Sequence, residues 1–163
     1  MGQNIKYIIT TENLNIPIYI ISFKEKNSTI FPILLEDNDF EDISKYSEKS
    51  NDNVFDFFDM ILCGGYHLEF PTRRLFEFIQ MSKIRSFAII TYREFMDIPQ
   101  NIGKPILFLD NELCKINSDY TEEQIHQKLN SEITFNEIIN NEEKYWNYGT
   151  SELIYLKNLN KTN

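Results

Sequence analysis

The chain has 163 residues, 16 basic against 25 acidic side chains and a formal charge of −9. A chain of this length buries about 70% of the surface its unfolded form exposes, so it needs no disulfide staple, and its two cysteines, Cys63 and Cys114, read as reduced thiols of a cytoplasmic protein. The charge argues against direct contact with nucleic acid, no apolar run approaches the ~18 residues of a membrane span, and the opening MGQNIKYIIT lacks the regions of a secretory signal.

From the N-terminus, Ile5, Tyr7 and Ile9, then Ile16, Ile18 and Ile20, then Phe31, Ile33 and Leu35 alternate or run in short apolar bursts, separated by turn-rich residues 12–15 and 24–28. Period two predicts strands, and three in succession predict an antiparallel β-meander. Pro17 and Pro32 cannot donate to a ladder, which places the start of the second strand near Pro17 and a bulge or an edge near Pro32. Residues 36–50 carry only a thin apolar row, Phe40, Ile43 and Tyr46, beneath many acids, which suits a short helix capped by Asp39 and then a loop.

The stretch from Asn51 to Gly65 carries the clearest helical period. At 100° per residue, Val54, Phe57, Phe58, Ile61 and Leu62 share one side, and Asp52, Asp56 and Asp59 form a stripe on the other. Asn51 or Asp52 is placed to cap the start, and Gly64 to end the helix in a left-handed conformation. Tyr66 to Phe70 is a short candidate strand. Pro71 then suits the first turn of a helix that turns Leu75, Phe78 and Ile79 inward, buries Phe76 in part, and leaves Arg73, Arg74 and Glu77 in water.

Ser86 to Tyr92 and Pro105 to Leu109 are apolar on both faces, as central strands are, with one helical turn or a loop between them. Asp110-Asn111 is placed to turn a hairpin into Glu112 to Ile116. Two capping boxes follow, Thr121 with Gln124 and Thr134 with Glu137, the second with Ile133 and Ile138 in staple positions. Its helix is expected from Phe135 to about Asn147, burying Phe135, Ile138 or Ile139, and Trp146. Ser151 to Leu159 reads as a closing strand in preference to a short helix. Together these elements predict one α+β domain over residues 1–163: an N-terminal antiparallel meander, further central strands, and about four to five helices packed on the sheet.

No catalytic, cofactor or metal motif accompanies this framework. Cys63 with His67 and Cys114 with His126 lack the paired spacing of a zinc site, and Gly64-Gly65 belongs to no phosphate-binding pattern. Cys63 reads more simply as a small buried side chain at a helix end. For Arg73 and Arg74, pairing with the chain's own acids is the simpler alternative to a nucleic-acid patch.

The acids are unevenly placed. From Glu36 to Asp59 there are nine acids against two bases, whereas from Pro71 to Lys104 six bases face three acids. A field of carboxylates on a small domain speeds encounter with a basic protein. The expected contact residues are Asp37, Asp39, Glu41, Asp42, Asp52, Asp56 and Asp59, with Tyr46 and Tyr66 as flanking anchors.

In general character the chain, small, acidic, rich in Asn, Ile and Lys and without a catalytic signature, resembles the bacterial immunity proteins that neutralise toxin domains of contact-dependent growth inhibition and related systems. The resemblance implies a cytoplasmic, non-enzymatic protein that binds and occludes a toxin domain, often a nuclease, without turnover and without a cofactor. Its oligomeric state stays open. Two other classes compete. A carboxylate- and metal-dependent hydrolase requires a pocket where acids converge with His67 or His126. A nucleic-acid mimic requires carboxylates spaced like phosphates along an elongated surface.

Overall fold

The apolar runs of the chain pair into one antiparallel sheet covered by helices on both faces. The computed structural model describes residues 4–33, 53–64, 68, 72–95, 98–100, 105–114 and 120–146. In chain order its elements are β1 Asn4–Thr10, β2 Phe23–Glu25, β3 Ser28–Pro32, α1 Val54–Cys63, α2 Thr72–Met81, β4 Phe87–Phe95, β5 Ile98–Gln100, β6 Ile106–Leu109, β7 Glu112–Cys114, α3 Glu122–Lys128, α4 Phe135–Asn140 and α5 Glu142–Tyr145. The strand order is β2-β3-β1-β4-β6-β7, with β5 folded back onto β4. Every pairing is antiparallel, which gives the predicted α+β architecture.

Alternation along the strands divides the core in two. Ile8, Phe31, Phe87, Ile89, Ile106 and Phe108 face one side, where Val54, Phe57, Phe58 and Ile61 of α1 and Leu75, Phe76 and Ile79 of α2 cover them. Ile5, Tyr7, Ile9, Ala88, Ile90 and Leu107 face the other, beneath Ile125, Phe135, Ile138, Tyr145 and Trp146. A strand covered on both faces has no polar side to show, which is why residues 87–90 read as a continuous apolar run.

The N-terminal strands fit an antiparallel meander, but its second strand lies later than the alternation suggests. Residues 16–20 form a turn in which the Ile20 amide donates to the Pro17 carbonyl at 3.1 Å. The strand is instead Phe23–Glu25, outermost in the sheet, with β3 between it and β1. Pro32 ends β3 opposite Tyr7, where its missing donor costs the ladder least.

Three further expectations are corrected. The segment after Tyr92 is not a helical turn: β4 continues to Phe95 and pairs with β5, Arg93 opposite Gln100. The helix begun at Phe135 is broken at Asn141, whose side-chain amide donates to the Glu137 carbonyl at 2.8 Å and so competes with the helical backbone bond. The box at Thr134 is half made, because the Glu137 carboxylate pairs with Lys26 at 3.2 Å, whereas the Thr121–Gln124 box is complete. The Asp110-Asn111 turn is as expected, with φ of 51° and 74°, both positive as a two-residue hairpin loop demands. The expected helix over residues 39–46 and the closing strand at Ser151 to Leu159 lie outside the described residues, as does Tyr66 to Phe70 except for the buried Leu68. Among the described residues no helix is long and apolar enough to cross a membrane.

Candidate partner-binding surface

The exposed side of α1 is set by how the helix begins. Asn53, one or two residues later than the expected Asp52 or Asn51, is its N-cap: its side-chain oxygen accepts from the Asp56 amide at 2.8 Å, and its side-chain amide donates to the Asp56 carboxylate at 2.9 Å. Asn111, in the hairpin turn between β6 and β7, accepts from the Val54 amide at 3.1 Å. Two otherwise orphaned donors of the first turn are thereby satisfied. At the far end Gly64 is the C-cap, but its φ is −94° and not left-handed; glycine is needed there because a Cβ would lie 2.1 Å from the Met60 carbonyl oxygen.

With its ends fixed, the helix buries Val54, Phe57, Phe58 and Ile61 and half-buries Leu62, as the period predicts. Asp56 and Asp59 are exposed, and between them and the adjoining helix lies Phe55, 62% exposed. Phe55 is absent from the sequence-based contact set. Its signal was readable, since a residue four before Asp59 falls on the same stripe. Cys63 is also exposed, with its thiol 3.6 Å from an Asp59 oxygen, and is not the buried side chain expected at a helix end. Asp37, Asp39, Glu41, Asp42 and Asp52, with Tyr46 and Tyr66, lie outside the described residues.

The described cations near α1 are engaged elsewhere. Arg73 donates to the Leu62 carbonyl at 2.7 Å, Arg74 lies over the Tyr19 ring at 5.3 Å from its centre, and Arg85 pairs with Asp110 at 2.7 Å. Among the described residues neither Asp56 nor Asp59 forms an ion pair. Among the described residues neither Arg73 nor Arg74 pairs with an acid of this helix.

No protein-family model matches the sequence, and no curated protein or solved structure matches it.

Of the competing catalytic candidates, His126 is engaged in the core. His126 is buried; its Nδ1–H donates to the Ile133 carbonyl at 2.8 Å and its Nε2 accepts from the Tyr7 hydroxyl at 2.7 Å, which fixes a neutral tautomer. Burial pushes its pKa down and pushes the Tyr7 phenol up, the latter helped by the charges of Glu122 and Glu123. Burial likewise raises the thiol of Cys114. Both ring nitrogens of His126 are thus committed to the fold. Among the described residues no three His, Cys, Asp or Glu side chains converge on a point, and His67 lies outside them.

Proposed function

We propose that this protein is an immunity protein that binds and occludes the basic face of a toxin domain, a nuclease by its charge, through the acidic surface that includes the exposed side of α1. The observation that carries the reading is Phe55, 62% exposed beside Asp56 and Asp59, with neither carboxylate in an ion pair among the described residues. An exposed aromatic supplies contact area at low entropic cost, and carboxylates around it steer a basic partner and set its orientation. Asp37, Asp39, Glu41, Asp42 and Asp52 extend the same charge along the preceding chain. Occlusion requires no turnover and no cofactor.

The test is stopped-flow association between the recombinant chain and a basic nuclease toxin domain recovered as its partner by pull-down. Asp56→Lys together with Asp59→Lys is expected to slow association roughly tenfold at low salt and to flatten its salt dependence. Association that is unchanged in the double variant places the interface elsewhere.

A further inference from the structure

A second feature adjoins the acidic stripe. α1 and α2 run antiparallel: Arg73 at the start of α2 meets Leu62 near the end of α1, and Gln80 near the end of α2 meets the start of α1. Where α2 turns into β4 the two helices part, leaving an open cleft of about 280 Å³ lined by Val54, Phe55, Gln80, Lys83, Ile84 and Arg85, with Asn111 at its edge. This lies just below the usual range of ligand sites.

The polar groups around the cleft are mostly engaged. The Val54 amide donates to Asn111, the Asn111 amide donates to the Arg85 carbonyl at 2.7 Å, and the Arg85 guanidinium pairs with Asp110. Glu12 accepts from the amides of Arg85 and Ser86 at 2.8 and 2.5 Å. Of the charged side chains lining the cleft, only the exposed Lys83 is unengaged among the described residues. Its backbone is fixed: Ser82 donates from its amide to the Phe78 carbonyl at 2.9 Å and from its hydroxyl to the Ile79 carbonyl at 2.7 Å, and Lys83 takes a φ of 59°. The cleft therefore offers an apolar floor, one aromatic wall and one free ammonium on a turn already ordered before any ligand arrives.

We infer that this cleft is a docking site for a partner-protein segment that places an apolar side chain against Val54, Phe55 and Ile84 and an adjacent carboxylate against Lys83. The cleft goes beyond the acidic-surface reading and does not depend on it, because its free charge has the opposite sign. On a partner using both surfaces, the two signs flanking Phe55 fix the direction in which the segment lies.

The probes are two blocked dipeptides, acetyl-Phe-Glu-amide and acetyl-Phe-Gln-amide, titrated into the full chain while the Val54 and Ile84 methyl resonances are followed. The Glu peptide is expected to bind roughly fivefold more tightly than the Gln peptide, the scale of one solvent-exposed ion pair. That preference is expected to vanish in Lys83→Gln, and Phe55→Ser to weaken both peptides. Asp56→Lys with Asp59→Lys is expected to leave the preference in place, which separates this result from the outcome for the acidic stripe. Equal affinity for the two peptides, or no methyl shift with either, overturns the inference. Methyl shifts that follow protein concentration without peptide assign the cleft to a second copy of the chain and overturn it equally.

Discussion

Phe58 is fully buried, with its ring stacked on Phe87 at a centre-to-centre distance of 5.4 Å and set edge-on to Phe57 and Phe76 at 5.1 and 5.6 Å. Removing it empties the junction between both helices and the central strand, so Phe58→Ala is expected to cost about 3–5 kcal/mol, read from urea unfolding. His126 makes a different kind of contribution. Burial holds its folded pKa below the ordinary value of 6.5, so in between the unfolded chain binds the extra proton. The stability that depends on the neutral ring is complete above about pH 6.5 and lost as the pH falls below it. His126→Gln is accordingly expected to be less stable than the parent at neutral pH, yet to lose less on going from about pH 7 to about pH 5, as unfolding midpoints would show. Glu25 acts in the same direction but lower, because the Lys144 ammonium beside it holds its carboxyl below the usual 4.5.

At the scale of elements, α1 depends on a residue far from it in sequence. Asn111 accepts from Val54 across 57 residues while itself holding a φ of 74°, a conformation that Ala adopts only with strain. Asn111→Ala is expected to cost about 1–2 kcal/mol through lost bond and strained turn together, and Asn111→Gly less, because only the bond is lost. The core side of α1 was legible in its period, since every buried position recurs on one face. The hairpin's share in capping it was not, because local sequence carries no sign of a partner brought in by the sheet. The break between α4 and α5 was hidden for a related reason. Asn141 is tolerated within a helical pattern, and only its side-chain bond to Glu137 shows which way the competition falls.

Across the whole molecule, the two central strands are insulated from water on both faces while β2 and β7, three residues each, form the edges. Amide hydrogen exchange is expected to be slowest in the paired residues of β1 and β4 and faster in β2 and β7; a uniform pattern would contradict the layered core. Two-sided burial was legible from apolar runs such as residues 87–90, but β5 and the strand order were not, because β5 carries no apolar alternation of its own and β1 reads alike beside β2 or β3. The charged side of α1 was similarly legible only in part. Asp56 and Asp59 follow from the period, whereas the freedom of Phe55 and Lys83 depends on which neighbours the fold assigns to Arg73, Arg74 and Arg85.

The position of β1 also bears on how the chain acquires its structure. β1 pairs on one side with residues 29–32 but on the other with residues 88–93. Contacts of such long sequence separation must close a large loop before they return any stabilisation, which slows folding at a given stability. During synthesis β1 therefore waits for residues 88–93 before its second neighbour exists, and until then one edge of a strongly apolar strand stays open to other partners.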